Sequence, residues 1–191
     1  MNGRIVLASK SPRRLELLRN AGFTVEVRIA DVEEIPAAGE LPIAYVRRLA
    51  QSKAAAVVAS EQELVLAADT IVVVDDKILE KPADPADAIR MLSLLSGRQH
   101  TVHTGICVRY GGQSQVDHAQ TTVEFACMTP DEIAAYVSTG EPMDKAGAYG
   151  IQGYASRFVT SIDGCYFNIV GLPVSLVYRH MSDILKSCPV R

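Results

Sequence analysis

The chain has 191 residues, of which 48% are apolar and 21% charged, and its formal net charge is −3. That balance excludes a fibrous or disordered chain and argues against broad binding to nucleic acid or to an anionic membrane, so any anionic ligand must meet a local cluster of cations. The length predicts a single domain, residues 1–191, that buries roughly 70% of its unfolded surface without staples, two lobes being the variant.

Arg4–Ala8 reads as a short strand, and its apolar part is too brief for a signal peptide. Ser9-Lys10-Ser11 follows, with Ser11 as the natural N-cap and Pro12 opening a helix whose inward face is Leu15 and Leu18 and whose stop is Gly22. A strand running straight into a helix N-terminus presents backbone N–H groups and a positive dipole end, which suits an anion. Ser9, Lys10, Ser11, Arg13 and Arg14 crowd that tip. Arg13 and Arg14 oppose the dipole, so local helix stability does not explain them; phosphate binding does, the alternative being a charged helix start facing water.

Phe23–Ile29 alternates as a half-buried strand, with Phe23, Val25, Val27 and Ile29 on one face. Asp31-Val32-Glu33-Glu34 ends it as an acidic loop. Pro42–Ser60 is a second helix in which Ile43, Val46, Leu49, Ala50, Ala54 and Val57 share one arc. Lys53 falls inside that arc, where it either snorkels out or meets an anion.

Leu64–Pro82 is the least ordinary stretch. Val65–Ala68 and Ile71–Val74 form a nearly continuous β-prone run, as in a strand covered on both faces. Asp69 and Thr70 interrupt it, and an unpaired buried acid costs several kcal/mol, so Asp69 is paired or binds a metal. Asp75-Asp76-Lys77 turns the chain, Ile78 and Leu79 return it, and Glu80-Lys81-Pro82 closes the hairpin with a cation. Asp69 with Lys81 suits a metal-bound phosphate; a satisfied core acid and a solvated corner lysine is the other reading.

Asp84-Pro85 caps a third helix, with Ile89, Leu92 and Leu95 inward and Gly97 as its stop. His100–Tyr110 and Ser114–Cys127 flank Gly111-Gly112 as a long hairpin, and His100, His103 and His118 read as polar residues of the sheet surface, with no catalytic histidine expected. Thr129-Pro130-Asp131-Glu132 begins a fourth helix ending at Gly140. In Glu141–Gly153 a glycine recurs every third residue, at Gly147, Gly150 and Gly153, which allows close approach of a ligand to the backbone or a tight structural turn. Ser156–Ile162 and Cys165–Val170 around Asp163-Gly164 read as another hairpin. A last helix after Gly171-Leu172-Pro173 turns Val174, Val177, Met181 and Leu185 inward, and Lys186–Arg191 is a tail. Cys107, Cys127, Cys165 and Cys188 are isolated and suit a reduced compartment. No window approaches the ~20 apolar residues of a membrane span, so a soluble cytoplasmic protein is expected.

These segments together resemble the Maf family of nucleotide pyrophosphatases, also described as septum-formation inhibitors. The resemblance rests on LASKSPRRLELL, the Lys53 helix, AADTIVVV, LEKP, LLSGR, EPMDKAGAYGIQG and NIVGLP, which run in order through nearly the whole chain. DKAGAYGIQG resembles the subgroup acting on dTTP and UTP. Lys10 departs from the pattern, since a small or neutral residue is common there. The resemblance implies an elongated mixed β-sheet flanked by helices, two lobes around a central cleft in the ITPase-like manner, and often a homodimer. It also implies hydrolysis of a nucleoside triphosphate to monophosphate and pyrophosphate with Mg²⁺ or Mn²⁺, the removal of non-standard nucleotides and a link to cell-division arrest. A triphosphate carries about four negative charges, and Ser9, Arg13, Arg14, Lys53 and Lys81 supply donors and cations from separate elements. Asp69 is a metal ligand, a base orienting water, or both, with Glu34 the second acid. Gln152 is assigned to the pyrimidine base, with Arg13 and Thr70 as helpers. The alternative function is a nucleotide-binding regulator of septum formation with incidental turnover.

Overall fold

The computed structural model describes residues 4–29 and 31–187. Among these, seven strands form one mixed sheet: β1 (Ile5–Leu7), β2 (Val25–Val27), β3 (Leu64–Val74), β4 (Lys77–Leu79), β5 (Gln99–Tyr110), β6 (Gln113–Phe125) and β7 (Val159–Asp163). Six helices accompany it: α1 (Pro12–Asn20), α2 (Pro42–Ala56), α3 (Pro85–Leu95), α4 (Pro130–Ser138), α5 (Tyr166–Val170) and α6 (Val174–Ser187). The strand order is β2-β1-β3-β5-β6-β7, with β4 pairing β3 outside that path. β1 runs parallel to β2 and β3, while β4 and β7 pair antiparallel with β3 and β6, so the mixed α/β sheet expected from the sequence forms. No helix among the described residues is long and apolar enough to cross a membrane.

The chain divides into two compact units. The first takes the chain up to Asp69, then Thr104–Ala119 and the chain from Gly171 onward. Leu64–Asp69 is buried at every position because an interior parallel strand is covered on both faces. Val6, Ala8, Ala50, Ala54, Val57, Val65, Ala67 and Cys107 make one cluster there, small side chains that let α2 lie close to the strands. Gly105 allows the closest approach, since a Cβ at that position would sit 2.2 Å from the Val46 carbonyl oxygen. Val46, Leu49, Ala50, Ala54 and Val57 are buried along α2 and just after it as the periodicity predicts, Tyr45 widens the arc on its Leu49 side, fully buried, and Ile43 is left exposed.

The second unit comprises Thr70–His103 and Gln120–Val170. Asp75 and Asp76 both take positive φ, 48° and 59°, the geometry of a two-residue type I′ hairpin turn that matches the twist of β3 and β4. The Asp84 carboxylate accepts from the Asp87 amide at the start of α3, and Thr129 with Glu132 completes a reciprocal capping box on α4. α3 and α4 pack on each other.

Several local expectations give way to tertiary structure. In α1 the buried residues are Arg14, Leu17 and Leu18, with Leu15 only half-buried. β2 is three residues long, its pairing with β1 ending at Leu7 and Val27, and Val27 and Ile29 stay exposed. α2 ends at Ala56 rather than Ser60, leaving Val58 in solvent. Ile89 is exposed while Ala88 and Met91 face inward. His100 and His103 are buried, not surface residues, and His118 is half-buried. Cys165–Val170 is no strand: after Gly164 the chain forms α5, whose Asn168 donates to the Val102 carbonyl and to Thr121 Oγ1, at 2.9 and 3.0 Å. In α6, Ile184 is buried in place of Leu185. Cys188 and the rest of the tail from that residue lie outside the described residues.

Candidate active site

Asp69 sits in the middle of β3 at 6% exposure. Its Oδ1 accepts from Lys53 Nζ at 2.6 Å. Lys53 lies on the buried face of α2, two turns after Val46, and its Nζ is also 2.8 Å from Glu34 Oε1. The Lys53 and Asp69 side chains are about equally buried, whereas that of Glu34 is 45% exposed. One ammonium is thus held between a buried and a half-wetted carboxylate. The lysine does not snorkel out; it meets anions of its own chain, and the pairing relieves the cost of burying Asp69.

The tip of β1 carries the second cluster. Ser9 is buried, and its Oγ accepts from the Ser11 amide at 3.2 Å and from Arg14 Nη1 at 3.1 Å. Arg14 Nη1 also donates to the Ala68 carbonyl and Nε to the Gly171 carbonyl, each at 2.8 Å. Arg14 therefore ties the exit of β1, the residue before Asp69 and the segment leading into α6. Burial draws its guanidinium below its ordinary value, with Asp69 the largest opposing influence; an arginine so placed remains a cation. Ser11 stands at the N-cap of α1 without a side-chain cap bond, so its hydroxyl does not close the helix N-terminus that phosphate favours. Arg13 is half-buried on the first turn, and Lys10 is exposed beside Asp31, 3.5 Å away. The first unit thus brings Ser9, Arg14, Glu34, Lys53 and Asp69 into contacting clusters.

The remaining residues singled out by the sequence belong to the second unit. Thr70 is half-buried on β3. Lys81 is exposed after β4 and forms no ion pair among the described residues, and Gln152 is exposed in the glycine-rich segment. That segment is tied to the Lys81 loop, because the Gly147 amide donates to the Glu80 carbonyl at 3.0 Å. Gly147 takes φ +67° and a Cβ there would lie 2.7 Å from Val72 Cγ2, so the chain fits against β3 only as glycine. Glu141 closes the far side: its carboxylate accepts from the Tyr136 hydroxyl at 2.9 Å and the Tyr154 amide at 3.0 Å.

Sequence reasoning passed over Gly105, which seats the helix bearing Lys53, although a lone glycine inside a strand pattern signals close backbone approach. It also passed over the buried pair His100 and Tyr149, 2.8 Å apart, for which no local signal existed. Among the described residues no three His, Cys, Asp or Glu side chains gather to hold a metal on protein ligands alone. Asp69 and Glu34 do converge on one positive centre, and two hard carboxylates suit a divalent cation that takes its other ligands from water and phosphate oxygens.

A family profile described as Maf-like protein matches residues 4–184. The chain is 54% identical over 178 residues to a Koribacter versatilis protein named dTTP/UTP pyrophosphatase, covering 93% of this chain and 92% of that one. It is 51% identical to a Syntrophomonas wolfei protein of the same name, covering 95% and 100%, and 52% identical to one from Vibrio cholerae, covering 90% and 92%. Among solved structures, the Staphylococcus aureus Ham1 protein aligns at 19% identity with a TM-score of 0.47 over 64% of this chain and 72% of its own, too distant to add to the sheet topology above.

Proposed function

The chain belongs to the Maf-like protein family, and on that footing we propose that it hydrolyses dTTP and UTP to the nucleoside monophosphate and pyrophosphate. Water adds to the α-phosphorus, and the bond from that phosphorus to the bridging oxygen breaks, so pyrophosphate leaves. The observation that carries the proposal is Asp69, a buried acid in an interior strand locked onto Lys53 and bordered by the Ser9–Arg14 cluster. A protein that only bound the triphosphate would gain nothing from a carboxylate among those cations. The names of the relatives support the substrate class.

We assign the roles as follows. Asp69 accepts a hydrogen bond from the attacking water, and Lys53 fixes the rotamer and charge of that carboxylate. Ser9, Arg13 and the N-terminus of α1 take phosphate oxygens, while Arg14 holds Ser9 and the Ala68–Asp69 backbone in register with them. The exposed ammonium of Lys81 is assigned to the charge of the triphosphate. Thr70 and Gln152 are assigned to the base: a Gln amide answers the N3–H and O4 of uracil or thymine together, a pattern that cytosine reverses. Asp69 and Glu34 would hold Mg²⁺ or Mn²⁺. When bound, that cation supplies charge neutralisation at the phosphoryl oxygens. Removal of non-standard pyrimidine nucleotides, with its link to septum formation, is the cellular role this activity would serve.

The test is pyrophosphate release from dTTP, UTP, CTP, dATP and GTP with Mg²⁺ or Mn²⁺. Turnover of dTTP and UTP well ahead of the others is expected. Tight nucleotide binding with no pyrophosphate released would refute the enzyme and favour a regulator; equal rates on CTP and UTP would refute the base assignment alone.

A further inference from the structure

Tyr149 lies three residues before Gln152, and its ring is buried. It packs edge-on against His100 and Phe125, at centroid distances of 5.3 and 4.8 Å, and those two rings meet edge-on at 4.9 Å. Inside this cluster the Tyr149 hydroxyl and His100 Nε2 lie 2.8 Å apart. His100 is 3% exposed, and its Nδ1 has no hydrogen-bond partner. The tyrosine is the imidazole's one polar anchor among the described residues. Burial pushes the histidine down to about 4 and the phenol above its ordinary value, so both are neutral across the working pH range.

Around Tyr149 the backbone is held at a few points, among them the Ala148 amide on the Lys145 carbonyl and the Gly153 amide on the Gly150 carbonyl, at 3.0 and 3.1 Å. Ala148 and Gly147 take positive φ, and Gly150 and Gly153 follow. The segment is pinned at Gly147 by the Glu80 carbonyl, at Gly150 by the Tyr136 hydroxyl (3.1 Å) and at Tyr154 by Glu141. Gln152 itself carries no such tie and is exposed. Its direction depends on how the segment is seated, and the Tyr149 ring, buried with Ala148 and Ile151, is the largest side chain that seats it. A base-reading amide must be held within about 0.5 Å of its productive place.

We infer that the Tyr149–His100 hydrogen bond sets the position of Gln152, which makes Tyr149 and His100 positioning residues for nucleotide specificity. The inference rests on the reading of Gln152 as the residue that recognises the base. Phenylalanine at position 149 keeps the ring contacts and removes only the hydroxyl, which leaves both ring nitrogens of a buried imidazole unpaired. The imidazole then gains by turning toward another partner, and the aromatic ring at position 149, with its segment, loses the one hydrogen bond that fixes its orientation.

The experiment measures kcat/KM of the full chain on UTP and on CTP for wild type, Tyr149→Phe, Gln152→Ala and Leu92→Val. Leu92→Val trims a fully buried side chain of α3 and serves as the control for lost stability. Tyr149→Phe should lower the UTP-to-CTP ratio roughly 3- to 10-fold, the reach of one hydrogen bond, while Leu92→Val leaves the ratio unchanged. An unchanged ratio in Tyr149→Phe, with Gln152→Ala lowering it, overturns the positioning role and leaves the Gln152 reading intact. Equal lowering by Tyr149→Phe and Leu92→Val also overturns the positioning role. A ratio lowered by Tyr149→Phe but not by Gln152→Ala refutes the Gln152 reading and with it the inference that the Tyr149–His100 bond acts through Gln152. If neither variant moves it, both fall.

Discussion

Asp69→Asn separates the two things a buried acid can do. The side chains of Asp69 and Lys53 are 9% and 10% exposed, and stranding one member of such a pair costs about 3–5 kcal/mol. Here the loss is smaller. Glu34 remains 2.8 Å from the ammonium, and an asparagine oxygen still accepts from Lys53. What disappears is the charge in one hydrogen bond, a loss of about 1–2 kcal/mol. For a chain of this size that corresponds to a melting temperature lower by roughly 2–8 °C. Turnover should fall much further, by about 10²- to 10⁴-fold, if the carboxylate proposed to accept from the attacking water is gone. The assay is pyrophosphate release from UTP beside thermal melts with and without nucleotide. Glu34→Gln should be milder on both counts, since its side chain is half in solvent. A folded Asp69→Asn enzyme with kcat within threefold of wild type would refute the assignment of Asp69 to the chemistry.

Three further outcomes follow from the geometry. Gly105→Ala places a Cβ 2.2 Å from the Val46 carbonyl oxygen, so α2 must shift; a loss of about 1–3 kcal/mol in melting experiments is expected together with reduced kcat, and an unmoved melt would show that the helix is not seated there. His100 is held at about 4 against an ordinary value of 6.5, so between those values the unfolded chain takes up a proton that the folded one refuses; stability is full above pH 6.5 and falls by about 3 kcal/mol on descent through pH 4, a slope that melts of His100→Gln should lack. Finally, Lys53→Met with Asp69→Val should melt within about 1 kcal/mol of wild type or above it and release no pyrophosphate; deep destabilisation of that double variant would show that the pair is kept for the fold.

What the sequence discloses here is what a local window can hold. The Asp75-Asp76 turn shows because two adjacent residues suffice for its positive φ, and the capping box of Thr129 and Glu132 because its partners are three residues apart. Lys53 shows because a cation in an apolar arc must snorkel out or find an anion, and Asp69 poses the same problem in a strand. Arg14 is different. Two of its acceptors, the carbonyls of Ala68 and Gly171, lie 54 and 157 residues along the chain, so no reading of its helix reveals that the guanidinium is occupied by backbone. α5 fails for the same reason: Tyr166–Val170 has strand-forming residues, yet Asn168 gains two buried bonds, to Val102 and Thr121, only when the segment coils. The alternation of Phe23–Ile29 is real in sequence, but the pairing with β1 covers only Val25–Val27.

The first unit spends charge where apolar residues would pack as well. Val65, Leu66, Ala67 and Ala68 lead up to Asp69 without a polar side chain, and valine at the next position would continue β3 with no desolvation to offset. Ion pairs buried to this degree are weak sources of stability, because attraction between the partners does little more than repay the loss of water. Yet the charge is not isolated there. Lys53 faces it from α2, Glu34 reaches in from a loop, and Arg14 grips the carbonyl one residue earlier. A helix, a strand, a loop and a helix start, far apart in sequence, have each given up an apolar or solvated side chain to the same few ångströms. Electrostatic preorganisation has this form: charges fixed before the substrate arrives, so that little reorganisation remains when charge builds on a phosphoryl group. Folding alone supplies no reason for that arrangement, and phosphoryl-transfer chemistry does.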